Sequence, residues 1–151
     1  MNWDAIFSFT NIVALLGHMM LAVWTRTPRT FSIVLNLAIG LLCLTYAILF
    51  VLLVSNLVDP GKVPGAADPN LLDYSIAGLR PLFLSDAGIV IGWTHYLAFD
   101  LFVARWIARD ADATGLGRIA QLPFLFATLM AGPLGLLAWL IFRQTRSRSD
   151  D

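Results

Sequence analysis

The sequence predicts an all-α integral membrane protein, a four-helix bundle with one short interfacial helix between the second and third spans. Hydrophobic residues make up 58% of the 151 residues, and only 13% are charged. A soluble domain of this length needs more charge to cover its surface. The mean hydropathy is +0.76, and the apolar residues are gathered into four stretches. Each stretch can form a helix of the roughly 20 residues that cross a bilayer.

The four predicted spans use nearly the whole chain, so residues 1–151 are expected to form a single multi-pass membrane domain. The spans are expected over about 4–24, 31–58, 87–107 and 119–142. An even number of spans would place both termini on the same side of the membrane. Arginine and lysine divide equally between the two sides, so the positive-inside rule leaves the orientation open. The expected location is the bacterial inner membrane.

A loop and a short amphipathic stretch separate the second and third spans. Glycine, proline and aspartate crowd residues 59–70, which predicts a loop. Apolar residues then recur at helical spacing, at Leu72, Ile76, Leu79 and Phe83. This spacing predicts a short interfacial helix that ends near Pro81, with a partly ordered connector as the alternative.

Proline interrupts the fourth predicted span, in the stretch AGPLG at 131–135. The ring of Pro133 removes the amide that would donate to the carbonyl of Leu129. We therefore expect a kink in this helix.

The third predicted span carries a histidine and an aspartate near its middle, in GWTHYLAFDLFVARWIARD at 92–110. An ionisable group at this depth costs about 2.5–3.5 kcal/mol on insertion scales. His95 and Asp100 are therefore expected to face the bundle interior and to have partners. Five residues separate them, about 140° around a helix, so they do not form one simple pair. Tyr96, four residues before Asp100, can reach its carboxyl group.

Further polar side chains lie within the predicted spans. They are Asn11 and His18 in the first span, Asn36 and Tyr46 in the second, and Trp93 and Tyr96 in the third. If the bundle brings these side chains to His95 and Asp100, they form a polar pocket within the membrane. A carboxyl group in apolar surroundings can act as an acid, and an imidazole can give or take a proton near neutral pH. The structural alternative is that they only link the helices by hydrogen bonds, most of all Asn36.

Two stretches resemble the abscisic-acid-deficient-four-like family, which consists of small four-helix membrane proteins. One is the segment at 92–110, in which glycine and tryptophan precede an H-x-x-x-x-D core and arginines end the helix. The other is LPFLFATLMAGPLGLLAWLIFR at 122–143, which is similar to the family's C-terminal pattern. The similarity covers nearly the whole chain and fits a bacterial-type member. Plant members are associated with the formation of neoxanthin from violaxanthin.

The resemblance implies a protein that acts on a carotenoid or another isoprenoid, by acid/base epoxide opening or isomerisation without redox change. Under this hypothesis Asp100 is the acid, held by Tyr96, and either His95 or His18 is the base. Trp93 and Tyr96 form aromatic walls around a carbocation-like centre. Asn11, Asn36 and Tyr46 complete the expected substrate-binding set. No cofactor and no metal are required.

Other functions remain open at this point. The protein could bind a carotenoid, a quinone or a lipid without changing it, or assist a partner enzyme. His18 and His95 could be axial haem ligands from two helices, or could join Asp100 around a metal ion. The expected partners are membrane lipid, an isoprenoid ligand and possible further copies of the chain. Nucleic acid is excluded, because the formal net charge is zero and no long basic block occurs.

Overall fold

A computed structural model of the chain describes residues 1–24, 26–67, 72–73 and 75–147, with no side-chain description for Ser147. Within these ranges the protein is all-helical, and two residues, Lys62 and Ser85, form an isolated β-bridge. Four helical segments are long and apolar enough to cross a membrane. The all-α class and the short helix between the second and third apolar segments are confirmed.

The helices follow the predicted order with small shifts at their ends. They are α1 (Trp3–Val23), α2 (Pro28–Ile33), α3 (Gly40–Val54), α4 (Ile76–Phe83), α5 (Asp86–Ala113) and α6 (Arg118–Ser147). A π-helical segment, Val34–Ile39, joins α2 to α3, so the second apolar segment is continuous over Pro28–Val54. The short helix α4 ends at Phe83, two residues after Pro81, near which it was expected to end. The amide of Leu84 caps the end of the helix on the Pro81 carbonyl at 3.2 Å.

Side-chain caps fix where several helices begin. Asn2 accepts a hydrogen bond from the amide of Ala5 at the start of α1. Ser85 accepts one from the amide of Gly88 at 3.1 Å, at the start of α5. Such caps satisfy amides that have no partner within the first helical turn. The cap at Ser85 therefore separates α5 from the short helix that precedes it.

Helix α5 lies at the centre of the bundle and contacts α1, α3, α4 and α6. It runs parallel to α1, because Asn11 pairs with Trp93 near one end and Gly17 packs against Leu101 further along. A side chain at Gly17 would meet Leu101 Cδ2 at 2.5 Å. Small residues at helix contacts allow this close approach in membrane bundles.

The fourth apolar segment turns back on itself at Ala131, whose φ of −160° and ψ of 82° are not helical. The rings of Phe124 and Trp139 have centroids 5.2 Å apart, whereas fifteen residues of straight helix span about 22 Å. A side chain at Gly135 would also meet the backbone nitrogen of Thr128 at 2.5 Å. Helix α6 therefore consists of two halves, 118–130 and 132–147, that lie side by side in opposite directions.

The second half of α6 is held at the C-terminal end of α5. The Asp110 carboxylate accepts a hydrogen bond from Trp139 Nε1 at 3.0 Å and pairs with Arg143 Nε at 3.1 Å. At the other end of the bundle, Trp3 Nε1 donates to the carbonyl of Asp59. The end of α6 is therefore on the opposite side from the start of α1, and the expectation that both termini share a side is wrong.

Pro133 is compatible with the start of a new helix after the break. The break at Ala131 and Gly132 comes first, and Pro133 then lies in the first turn of the second half of α6. An amide at that position has no intrahelical partner, so proline loses nothing there. The kink that was expected in this segment is present at Ala131, and it is sharp enough to reverse the chain.

Replacing Asp110 by alanine is expected to lower the free energy of unfolding by about 1–3 kcal/mol, because the Trp139 indole nitrogen loses its acceptor in a largely buried position. Thermal denaturation of the detergent-solubilised protein measures this loss. Asp112→Ala is the matched control, since the Asp112 side chain is 51% exposed and lies 3.8 Å from its arginine partner. Equal stability of the two variants would contradict the proposed role of Asp110.

Candidate functional site

The structure divides the predicted site residues among separate places. Four of them form a connected group that reaches the break in α6, namely Asn11, Trp93, Tyr96 and Asp100. His18 lies in a groove between α1 and the first half of α6. Tyr46 and His95 pair on another face, and Asn36 stands apart.

His95 is exposed, so the expectation that it faces the bundle interior is wrong. Its ring lies 4.7 Å from the Phe99 ring and 5.6 Å from the Tyr46 ring, measured between centroids. Asp100, by contrast, is buried. The two residues were expected to lie about 140° apart around the helix, and only the face that carries Asp100 turns inward here. The ring of Tyr46 also stacks on Phe50, so both of its aromatic contacts lie outside the Asp100 group.

Asn36 does not join the other polar residues. It is exposed, and its amide nitrogen donates to the Ser32 carbonyl at 3.0 Å and to the Ser32 hydroxyl at 2.9 Å. Both contacts are local, within the second apolar segment. The structure thus assigns Asn36 a helix-internal hydrogen bond rather than a place in a shared pocket.

The connected group links α1, α5 and the break in α6. Trp93 Nε1 donates to Asn11 Oδ1 at 3.0 Å, and the Trp93 ring lies 5.5 Å from the Tyr96 ring. The Tyr96 hydroxyl lies 3.4 Å from the Met130 carbonyl and accepts from the Gly132 amide at 3.4 Å. Irregular backbone at membrane depth needs such partners. Tyr96 therefore supplies polar contacts where the helix is interrupted.

Asp100 lies directly against the break. It is 5% exposed, and the Tyr96 side chain lies beside its carboxyl group. Any side chain at Gly132 would overlap its carboxylate, and Oδ2 has no hydrogen-bond partner among the residues that the structure describes. The second half of α6 starts at this point, so the positive end of its dipole is near the carboxylate. Discontinuous helices of membrane transporters bind anionic groups in the same way.

His18 is buried, with 4% of its surface exposed, and its hydrogen bonding defines its tautomer. Nδ1 lies 2.9 Å from the carbonyl of Ala14, and a carbonyl can only accept, so Nδ1 carries the hydrogen. Nε2 is then a free lone pair, and it has no partner within the described part of the chain. An imidazole in this state can take a proton or accept a hydrogen bond.

The groove that contains His18 has a volume of about 260 Å³ and is otherwise apolar. Its lining comprises Leu15, His18, Met19, Ala22, Leu122, Leu125, Phe126 and Leu129. Met19 and Phe126 are more than half exposed, which leaves the groove open toward the surroundings of the bundle. In a membrane those surroundings are lipid.

The groove leads toward the break that Asp100 covers. Leu129 lines it and directly precedes Met130, the residue whose carbonyl faces the Tyr96 hydroxyl. On α1, Gly17 precedes His18 and packs against Leu101, the neighbour of Asp100. His18 and Asp100 therefore flank one contact between α1 and α5, although Asp100 is not among the residues that line the groove of His18.

Gln121 is a buried polar residue that was not among the site residues predicted from the sequence. It is fully buried, its amide nitrogen donates to the Leu21 carbonyl at 3.3 Å, and Oε1 has no partner in the described ranges. It lies on the same α1–α6 interface as His18. A single amide side chain inside an apolar span was the signal that could have identified it.

The haem and metal alternatives require residues that the structure separates. His18 is buried between α1 and α6, while His95 is exposed beside Tyr46. They are therefore not opposed across one cavity as axial ligands would be. In the ranges described, no group of three histidine, cysteine or acidic residues could hold a metal ion.

The fold and the site together define a small helical protein of the membrane type, compatible with several passes through the bilayer. The family described as ABA DEFICIENT 4-like matches residues 5–139. The chain therefore belongs to the ABA4-like family, and the resemblance of its third and fourth apolar segments is confirmed. Membership indicates a role related to neoxanthin or carotenoid biosynthesis. Comparisons with curated proteins and with solved structures give no match.

Proposed function

We propose that the protein acts on a carotenoid or another long isoprenoid, which enters from the bilayer into the groove between α1 and the first half of α6. The proposed membrane is the inner membrane of a bacterium. The observation that carries the proposal is the unpartnered Nε2 of His18 in a groove whose other lining residues are apolar. A purely structural histidine would be expected to use both ring nitrogens.

The shape and chemistry of the groove suit a long apolar substrate. Its walls are leucine, methionine and phenylalanine side chains, several of them exposed at the outer edge. Apolar walls with a few polar groups are the usual composition of a small-molecule site. A carotenoid dissolved in the bilayer would reach such a site sideways, with its polar end group directed at His18.

The proposed reaction is the opening of an epoxide with loss of a proton, which is an isomerisation. Asp100 starts in its protonated form and gives its proton to the epoxide oxygen as the carbon–oxygen bond breaks. The positive end of the second half of α6 then stabilises the carboxylate that is left. His18 Nε2 takes a proton from the neighbouring carbon, which already carries one double bond, and the electrons of that carbon–hydrogen bond form a second double bond to the carbon that has lost the oxygen. The products are a hydroxyl group and an allene, and no electrons are gained or lost.

The structure supports different parts of this assignment. Asp100 has an unpartnered oxygen, and its carboxyl group lies beside the Tyr96 side chain. Of the two histidines considered as the base, the buried His18 fits the role, since His95 is exposed on another face. Trp93 and Tyr96, with ring centroids 5.5 Å apart, would stabilise positive charge next to the reacting carbon.

A second candidate function is binding without turnover. The same groove would hold a carotenoid, quinone or lipid unchanged, with Nε2 of His18 accepting a hydrogen bond from its polar end. The observation that favours this candidate is that Asp100 does not line the groove that contains His18. Catalysis requires a substrate that bridges them.

Replacing His18 by glutamine is expected to reduce the conversion of an epoxycarotenoid by about 100-fold or more, the usual contribution of a general base. The assay reconstitutes the purified protein in liposomes that contain violaxanthin and separates the products by chromatography. His95→Gln is the matched control, because it makes the same chemical change at an exposed position.

Three outcomes separate the candidates. Loss of conversion in His18→Gln, with conversion kept in His95→Gln, supports the proposed base. Full conversion by His18→Gln contradicts it. If the wild-type protein retains violaxanthin through purification and never converts it, the binding function replaces the catalytic one.

A further inference from the structure

A second cavity, of about 430 Å³, lies at the C-terminal ends of α1 and α5, where the second apolar segment begins. Its lining comprises Arg26, Pro28, Phe31, Ser32, Leu35, Arg105, Arg109, Asp112 and Ala113. It shares no lining residue with the groove at His18. We call it the arginine pocket, since three arginines and one aspartate leave it with an excess of positive charge.

Arg26 is the central observation. Its side chain is only 8% exposed, and Nη1 donates to the carbonyl of Leu116 at 2.8 Å. Nε and Nη2 are buried and have no hydrogen-bond partner among the described residues. These two nitrogens lie on one edge of the planar guanidinium group. Their spacing matches two oxygens of a phosphate or carboxylate group.

The chain itself does not neutralise this edge. Asp112 is the acidic residue of the pocket, but its Oδ1 lies 3.8 Å from Nη1, on the nitrogen already used by Leu116. The Asp112 side chain is also 51% exposed. Burial lowers the pKa of Arg26, and the Asp112 carboxylate only partly opposes this effect. A buried guanidinium with two unsatisfied donors is costly unless an anion completes it.

The other arginines add charge around the same space. Arg105 donates through Nε to the Phe31 carbonyl at 2.8 Å, which holds its guanidinium at the pocket wall. Arg109 is exposed at the rim. Clusters of this kind between membrane helices are suited to the head groups of anionic lipids.

The remaining walls are apolar and continue onto the outer surface. Phe31 and Leu35 line the pocket, and the adjacent Ile33 and Leu37 are 44% and 65% exposed on the second apolar segment. An acyl chain could lie along that surface while its head group occupies the arginines. A free anion would use only the polar half of the pocket.

We propose that the arginine pocket binds the phosphate group of an anionic membrane lipid, with Arg26 as the bidentate partner. This site is separate from the one proposed for the isoprenoid. It would anchor the junction of α1, the second apolar segment and α5 at the membrane surface.

The test measures lipid binding by the full-length protein in a neutral detergent, by native mass spectrometry and by the shift in melting temperature. The probes are phosphatidylglycerol, phosphatidylcholine, glycerol 3-phosphate and inorganic phosphate. Phosphatidylglycerol is expected to bind at least about tenfold more tightly than phosphatidylcholine, and Arg26→Gln to remove about tenfold or more of that affinity. Arg109→Gln gives a second variant, and because Arg109 is exposed, this substitution should leave the folding of the protein unchanged.

Arg29→Gln is the matched control, since Arg29 is an exposed arginine in α2, three residues after Arg26, and does not line the pocket. The proposal is supported if Arg26→Gln and Arg109→Gln bind phosphatidylglycerol more weakly while Arg29→Gln keeps the affinity of the wild-type protein. Equal binding of the two lipids, or equal loss in all three variants, overturns it. If inorganic phosphate or glycerol 3-phosphate binds as tightly as phosphatidylglycerol, the pocket is a site for free phosphate and the lipid is the wrong ligand.

Discussion

Replacing Gly132 by valine is expected to lower the free energy of unfolding by at least about 3 kcal/mol, because overpacking a buried contact costs ~1–3 kcal/mol and displacing a buried polar group adds to it. A side chain at this position overlaps the Asp100 carboxylate. The carboxylate would have to leave the break in α6, and Tyr96 would lose its place between the two halves. Thermal denaturation in detergent measures the effect.

Gly117→Val is the matched control. A Cβ at Gly117 meets no atom of the described chain within 4 Å, so the same substitution should change stability little. A double-mutant cycle with Asp100→Ala tests the cause, because removing the carboxylate should relieve part of the cost at Gly132. If Gly132→Val is as stable as Gly117→Val, the close packing of Asp100 on α6 is wrong.

Composition and hydropathy were sufficient to predict where the helices lie, because the position of a helix depends mainly on the residues within it. Twenty apolar residues in a row have few alternatives to a helix in a membrane. Helix α1, for example, was expected over about residues 4–24 and lies at Trp3–Val23. Apolar spacing likewise predicted a short helix before α5 that ends near Pro81, and α4 ends at Phe83.

The reversal of α6 was not predicted, since an apolar stretch of this length can form either one membrane-spanning helix or two short helices that lie side by side. The choice depends on partners from α5, which the fourth segment does not reveal by itself. Tyr96 and Asp100 cover the break, and Asp110 holds the returning half. The sequence signal was present in Ala131, Gly132 and Pro133, but a kink and a reversal give the same signal.

The candidate site was predicted only in part, because the sequence does not show how α5 is rotated about its own axis within the bundle. Periodicity gives the angle between two side chains on a helix, such as His95 and Asp100, but not which of them turns inward. The inward face of α5 is set by the small and branched residues that pack against α1 and α6. Arg26 was missed because it lies in a loop, where arginine is normally exposed, and its burial follows from the return of residue 116 to the end of α1.

The reversal also makes an all-or-none prediction about topology. If the halves of α6 lie side by side, the end of α6 is on the same side of the membrane as the α5–α6 connection. A single cysteine introduced by Gln144→Cys should then react from the same side as one introduced by Thr114→Cys. A cysteine introduced by Asp4→Cys should react from the opposite side. All three positions are exposed.

The experiment uses a Cys43→Ala background, since Cys43 is the chain's single cysteine, and a membrane-impermeant maleimide applied to vesicles of each orientation. Asp4→Cys and Thr114→Cys form the internal control, because three crossings separate them whether or not α6 reverses. Labelling of Gln144→Cys from the side of Asp4→Cys would mean that the fourth segment crosses the membrane. Asp100 and Tyr96 would then face an ordinary proline kink instead of a half-helix terminus, and the helix dipole would no longer act on the carboxylate.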